Sequence, residues 1–427
     1  MNYFYKILLI LSFVFFTEQS QANTLMDSLN SAYKNNSKLN AERASMRASK
    51  EEKKGAISEF LPSITVSGYV GEQDNSAPGN SSNFKPSEHS VTVEQKIFQG
   101  FAGVANFKKK ERGKDLAQFK LKKIEQETLL ETVKAHTGLI LNKKKVNINL
   151  MNIELLERQV ETDQNRLEKG EVSLTDLAQS EASLAGAQAQ LIAAQNDLIT
   201  SKANFFKITG IKKIENIKET NQINLNLPES LASAYSISNS ENPVLKIAMI
   251  EYKKSKLDVI IAGSDLSPSG TLSYKVVEQG EISATVKDRT QKTLTATATW
   301  PLFAGGSNFF NLKKSKEIRN QKELLYQDSK KQNETDVANA WSRYKSSKSV
   351  LNSIKSQVNA AEIANEGITL EYESGNSRTT LEVIQSRTIL LNSRINLATS
   401  KRNFLISKFN LLSSIGRLTA NQLNLKK

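Results

Sequence analysis

The sequence predicts a mostly α-helical protein with a transmembrane β portion, made from a helix, strand-hairpin and long-helical-hairpin unit that occurs twice. Three observations carry that reading. Segments recur at a steady offset of 202 to 206 residues: Ser28-Leu29-Asn30-Ser31-Ala32-Tyr33 as Ser230-Leu231-Ala232-Ser233-Ala234-Tyr235, Phe98-Gln99-Gly100 as Phe303-Ala304-Gly305, Gly170 as Gly375, Gln179-Ser180 as Gln385-Ser386, and Gly210 as Gly416. A unit of that size is too large for a solenoid repeat and has room for strands and long helices of its own. The 7 prolines stand at 62, 78, 86, 228, 243, 268 and 301, which leaves 87–227 and 302–427 free of the residue that breaks helix interiors. Finally, four segments of about ten residues alternate apolar and polar side chains, the length and pattern of a tilted membrane strand.

Taken in order, residues 1–22 read as an export signal: Lys6, an apolar run from Ile7 to Phe16, then Ser20-Gln21-Ala22 with small residues at the cleavage positions. The run is too short to span a bilayer. The first repeat, 23–225, opens with a helix over about 24–57. Ile64, Val66 and Val70 alternate with polar residues in a strand over about 63–72, and Val91, Val93 and Ile97 do so over about 89–98, with an Asn-, Ser-, Gly- and Pro-rich loop between them. An antiparallel sheet of a soluble domain would alternate in the same way.

A helix over about 102–168 follows, with Leu150, Ile153, Leu156, Val160 and Leu167 at 3/4 spacing. At 1.5 Å per residue a helix of that length runs to roughly 100 Å, far beyond the needs of a globular domain. Lys169-Gly170-Glu171-Val172-Ser173-Leu174-Thr175-Asp176 then reads as a corner, a glycine stop followed by a serine N-cap. In the next helix, about 172–210, Leu177, Leu184, Leu191, Leu198 and Phe205 recur every seven residues, with Ser180, Ala187, Ala194 and Ser201 three positions after the first four. A sustained heptad specifies coiled-coil packing, and small residues at its second seam position let the partner helix approach closely.

The second repeat, 226–427, follows the same plan. Its helix covers about 228–262, its strands about 270–278 and 292–300, and its long helices about 307–373 and 380–416. The last carries a seam of Val383, Leu390, Leu397, Phe404 and Leu411 with Ser386, Ser393, Ser400 and Ser407. A second apolar stripe one residue after each seam, with Ile192 and Ile199 in one copy and Ile384 and Leu391 in the other, widens the buried arc beyond a two-stranded coil. Each helix is therefore expected to have neighbours on more than one side.

The chain has no cysteine, so disulfides and thiolate metal sites are excluded, and its two histidines, His89 and His136, are far apart. Gly113-Lys114 lacks the preceding glycine and following Ser/Thr of a phosphate loop. No catalytic constellation or cofactor site is expected. The net charge of +14 raises nucleic acid as a partner. Its lysines, however, are spread along helical tracts among Glu and Asn without interleaved aromatics, the pattern of solvated helix faces.

Two strand hairpins that each lead through Phe98-Gln99-Gly100 or Phe303-Ala304-Gly305 into a long helical hairpin resemble the TolC-like outer-membrane efflux protein family. Leu61-Pro62, Trp300-Pro301-Leu302-Phe303-Ala304-Gly305-Gly306, Tyr372 with Gly375, and Ser414-Ile415-Gly416-Arg417-Leu418 carry the likeness from Leu25 to about Leu418. It implies a homotrimer with a twelve-stranded β-barrel in outer-membrane lipid and a periplasmic α-helical barrel. The function it implies is a passive exit duct for a tripartite efflux pump or a type I secretion system, working with a periplasmic adaptor and an inner-membrane transporter. The contrasting reading, an exported coiled-coil scaffold or adhesin without a pore, has no need of four amphipathic strands of membrane length.

By the same resemblance, Gly170, Val172, Ser173, Leu174, Gly375, Ser377 and Thr379 face the adaptor, although turn chemistry also accounts for the glycines. Asp176, Tyr372, Arg378 and Glu382 match the tyrosine, arginine and acidic residues that close such channels. The two acidic rings of the family entrance fall on Glu382 and Gln385, and Gln385 carries no charge.

Overall fold

The computed structural model describes residues 24–77, 80–212, 214, 217–219, 223, 225–283, 286–374 and 378–425, so the export signal lies outside the described residues. In chain order the elements are α1 (Leu25–Asn35), α2 (Ser37–Gly55), a 3-10 turn (Ala56–Phe60), β1 (Ser63–Val70), β2 (Gln73–Ala77), β3 (Asn80–Phe84), β4 (Ser87–Gln99), α3 (Ala102–Glu168), α4 (Leu174–Thr209), α5 (Leu231–Glu241), α6 (Pro243–Ser264), β5 (Ser269–Ser283), β6 (Val286–Thr299), α7 (Ser307–Glu373) and α8 (Thr380–Ser414). They form two compact units. One comprises Met1–Asn40, Ile124–Glu241 and Glu334–Lys427, the other Ala41–Lys123 and Asn242–Asn333. Neither unit is one sequence repeat, because each takes segments from both copies.

The opening helix of each copy, expected as one piece over 24–57 and 228–262, is broken in two. Asn36 adopts an extended backbone at φ −65°, ψ 121° between α1 and α2. In the second copy Pro243 starts α6, and the residue before a proline is driven out of the helical region, so Asn242 is extended and caps the Val244 amide at 2.8 Å. The strands also reach further than their apolar alternation. Gln73–Ala77 pairs with Asn80–Phe84 inside the expected loop, and the β5–β6 ladder continues through Glu278↔Thr290 and Gly280↔Asp288. Their sequences are mostly polar, and backbone ladders form there without any hydrophobic pattern to announce them.

The main sheet, in the second unit, has the order β1-β4-β5-β6, all antiparallel. Its register sorts side chains by face. Ile64, Val93, Tyr274 and Leu294 form one cross-strand row, and Val66, Val91 and Val276 form the next; Leu272 with Ala296 extends the same face. The alternate rows are Thr65, Thr92, Lys275 and Thr293, then Ser63, Glu94, Ser273 and Thr295. One face is thus mainly apolar, although Lys292 beside Val276 and Gln95 beside Leu272 lie on it, and the other is polar; the apolar one is open: Ile64, Val66, Val70 and Leu294 are 68–74% exposed. Among the described residues both outer strands, β1 and β6, have an unpaired edge.

In the first unit the small-residue positions of the heptads are mostly buried, Ser180, Ala187 and Ala194 with Phe205 on α4 and Ser386, Ser393, Ser400 and Ser407 with Val383 and Leu390 on α8, while Leu177, Leu184, Leu191 and Leu198 are half-buried. Ala187 packs with Ile153 and Leu156 of α3, closing one small-residue contact. Large side chains supply the remaining core, with Phe205, Phe409, Leu25, Leu29 and Leu129 fully buried. Each such side chain contributes about 1.5–3 kcal/mol by leaving water. The second stripe behaves differently: Ile192 and Ile199 are 60% and 64% exposed in the single chain.

His136 of α3 is fully buried in this unit. Its Nε2 lies 3.4 Å from the Lys218 carbonyl and its Nδ1 2.9 Å from Ser28 Oγ. Burial lowers its pKa to about 4. The folded state therefore binds fewer protons than the unfolded chain between pH 6.5 and 4, so stability falls as pH falls through that window, by on the order of 3 kcal/mol in full. Chemical denaturation across this range should show that slope, and His136→Gln should flatten it; an unchanged slope in the variant would assign the acid sensitivity to other groups.

The apolar row of the sheet generates a second expectation. Ala296→Arg places a charge among Leu272, Leu294 and Ala298 and should impair membrane insertion by about 2–4 kcal/mol if the row meets the bilayer midplane. The heat-modifiability of the inserted protein on gels reads this, and wild-type insertion of the variant would reverse the assignment of faces.

Candidate functional site at the helix corners

Both corners lie in the first unit. At the first, α3 stops on Gly170, whose φ of +73° is the left-handed conformation that favours glycine. The Gly170 amide reaches the Leu167 carbonyl and the Glu171 amide the Arg166 carbonyl, each at 2.9 Å, the double closure of a Schellman stop. Nothing lies within 4 Å of a Cβ built on Gly170, so backbone conformation, not crowding, requires the glycine. Ser173 then caps α4 in a reciprocal box: its Oγ accepts from the Asp176 amide at 3.2 Å, and its own amide donates to Asp176 Oδ2 at 3.0 Å. These bonds, Ser173 foremost, hold the Asp176 carboxyl below its usual range. Val172 is half-buried, and Leu174 is 69% exposed.

The second corner repeats the chemistry. Thr379 caps α8 and pairs reciprocally with Glu382, whose carboxylate takes the Thr379 amide at 2.9 Å. Arg378 bridges Glu371 at 2.6 Å and Glu382 at 2.9 Å, so it fastens the end of α7 to the start of α8. The Thr379 amide, then Arg378, lower the Glu382 pKa; Glu371, then Glu382, raise that of Arg378. Gly375 and Ser377 lie outside the described residues. Gln385 is exposed and lines a shallow recess with Glu382, Ala361 and Ile368.

Tyr372 points away from both capping boxes. It is 3% exposed, and its hydroxyl donates to Asp163 Oδ1 at 2.6 Å, with Thr380 Oγ1 3.0 Å away. Asp163 is fully buried and takes two more donors, Gln159 Nε2 at 2.9 Å and Ser180 Oγ. One carboxylate thus joins α3, α4 and α7. The Arg166 guanidinium stacks 4.6 Å from the Tyr372 ring centroid, and Arg387 of α8 donates to the Leu155 carbonyl of α3 at 3.1 Å. Burial, and then the bond to Asp163, raise the Tyr372 pKa, so the phenol remains a donor. Burial also lowers the Arg387 pKa, against the opposing charges of Glu373 and Asp163.

The geometry therefore divides the expected gate residues. Arg378 and Glu382 meet at the surface, Asp176 is occupied with its own helix end, and Tyr372 is joined to Asp163, which sequence reading passed over. A signal was present. After Ile153 and Leu156 the buried stripe of α3 continues on Gln159 and Asp163, not on Val160 and Leu167, and an aspartate seven residues after a seam leucine faces the partner helix. Among the described residues no three His, Cys, Asp or Glu side chains group as metal ligands. No helix among them is long and apolar enough to cross a membrane.

The family described as outer membrane efflux protein matches residues 28–211 and 234–417. The chain is also 26% identical over 409 residues to the outer membrane efflux protein BepC of Brucella suis, covering 95% of this chain and 88% of that one. Two solved structures share its fold: the CmeC outer membrane channel of Campylobacter jejuni, with TM-score 0.83, 15% identity and coverage of 92% and 86%, and the outer membrane protein VceC of Vibrio cholerae, with TM-score 0.78, 15% identity and coverage of 92% and 96%. The chain belongs to the outer membrane efflux protein family, and it is an outer-membrane efflux channel protein extending into the periplasm.

Asp163 accepts hydrogen bonds from three residues on three helices, Gln159, Ser180 and Tyr372. Asp163→Asn keeps its shape but gives up the charge that strengthens three hydrogen bonds, and should cost about 1–3 kcal/mol of local stability. Faster amide exchange over residues 156–184 would report the loss, whereas protection equal to wild type would show that Asp163 holds nothing in place.

Proposed function

We propose that three copies of the chain close their sheets into one twelve-stranded barrel and their helices into a hollow periplasmic conduit, gated at the helix corners and opened by an adaptor. The observation that carries this is the sheet. Its apolar face is exposed and both its outer edges are unpaired, and lipid tolerates neither open edges nor a four-stranded closure. Twelve strands remove the edges and give a bore. The exposed Ile192 and Ile199 stripe supports helix-to-helix contact between copies. The cargo is expelled through a tripartite pump or a type I secretion system whose inner-membrane transporter supplies the energy; the duct itself is passive.

In this reading the Gly170, Val172, Ser173 and Leu174 corner and the Gly375, Ser377 and Thr379 corner meet the adaptor. The gate has a buried part, Tyr372 on Asp163, and an exposed part, Arg378 between Glu371 and Glu382. Exposed ion pairs are weak, so an adaptor that binds the open state better can displace them by its differential affinity alone. Asp176 contributes by keeping its helix end capped. The entrance carries charge at Glu382 but not at Gln385, and its cation selectivity is correspondingly reduced.

Tyr372→Phe combined with Arg378→Ser should raise single-channel conductance in planar bilayers while leaving the assembled band on a gel unchanged. Conductance equal to wild type would move the gate to the Glu382 and Gln385 level.

A further inference from the structure

Within the first unit a cavity of about 290 Å3 opens between α3, α7 and α8, at the lower end of small-molecule sites. Its apolar lining includes Leu141, Leu351 and Leu405, and Lys355, Lys401, Arg402 and Lys408 line it as well. The other two charged groups in its wall, Lys144 and Glu219, neutralise each other in an ion pair.

The four remaining cations have no counterion among the described residues. Lys408 stacks over the Phe404 ring at 4.5 Å. Arg402 makes a single contact, Nη1 to Asn403 Oδ1 at 3.4 Å, and its Nε is buried without any hydrogen-bond partner. A guanidinium nitrogen shielded from water and left unpaired is costly, and an anion offering two oxygens would relieve it. Burial lowers the pKa of Arg402, with no neighbouring acid to oppose it, and burial with the charge of Lys348 lowers that of Lys408. Both shifts have the sign of cations that lack an anion.

We infer that this cavity binds a small amphipathic anion, a phosphate, sulfate or carboxylate head on an apolar body, with Arg402 and Lys355 on the head and Leu141, Leu351 and Leu405 around the body. Charge complementarity selects the occupant. An uncharged amphiphile leaves Arg402 unpaired, a cationic one is repelled, and a bare inorganic anion leaves the apolar lining uncovered. The inference concerns a binding site in the wall and stands apart from the gate reading.

Isothermal calorimetry on the full assembled channel in amphipol, with octyl phosphate, octanol, inorganic phosphate and octyltrimethylammonium as probes, tests it. Octyl phosphate should bind at least tenfold more tightly than the other three. The Arg402→Gln, Lys355→Gln double variant should lose tenfold or more of that affinity, whereas Lys313→Gln in the other unit should lose none. If the double variant does not assemble, Lys401→Gln at the exposed rim should still weaken binding. Equal affinities for octyl phosphate and octanol, undiminished affinity in the variants, or no binding to the wild type would overturn the proposal.

Discussion

The constraint on which this architecture turns is the backbone hydrogen bond in lipid. Hydrocarbon offers no donor or acceptor, so every strand edge inside it must find a partner. This chain has four strands in one sheet, and it satisfies three ladders internally. The edges of β1 and β6 are left over. That remainder is what the proposed assembly with other copies would close. Alternation follows from the same constraint, because a sheet closed on itself in lipid must be apolar outside and can be polar within. The rows Ile64, Val93, Tyr274, Leu294 and Thr65, Thr92, Lys275, Thr293 meet both demands.

The helical corners follow a different economy of forces. Each is closed locally by its own backbone, through a left-handed glycine at Gly170 and reciprocal caps at Ser173 with Asp176 and Thr379 with Glu382. Local closure keeps a corner folded whatever its neighbours do. At the corners the contacts that tie one helical hairpin to the other include Tyr372 on Asp163, the Arg166 guanidinium on the Tyr372 ring and Arg387 on the Leu155 carbonyl. A tip built in this way can move its hairpins without unfolding either of them, as the proposed gate requires.

Much of this was legible in sequence, for identifiable reasons. The long helices announced themselves through proline-free tracts and heptads, because packing of a helix seam recurs at fixed spacing and Val383, Leu390 and Leu411 report it directly. The apolar parts of the strands were legible for the same reason. Their polar extensions, Gln73–Ala77 and Gln279–Gly280, were not, since they are held by backbone bonds that any residue makes. Pro243 carried its break in plain view, through the restriction it places on Asn242, whereas Asn36 has no such marker. Asp163 was the costly omission. A lone acid in a helix of alternating charge looks like a solvated residue until Ser180, Gln159 and Tyr372 are seen to converge on it.

That convergence also explains how a buried charge can be tolerated at a corner proposed to open. A carboxylate stripped of water is unfavourable unless several donors replace its hydration, and Asp163 has three. Two of them, Gln159 on its own helix and Ser180 on the helix paired with it, stay with Asp163 when the hairpins part. Only the Tyr372 hydroxyl comes from the opposite hairpin. Separation therefore exchanges one protein donor for one water while the carboxylate keeps the rest of its shell, so the closed and open arrangements can lie close in free energy. A gate whose acid depended on Tyr372 alone would strand a bare buried charge on opening and be locked by it; one whose acid lacked the Tyr372 hydroxyl would be left with weaker ties such as the Arg166 stack and the Arg387 bond to the Leu155 carbonyl.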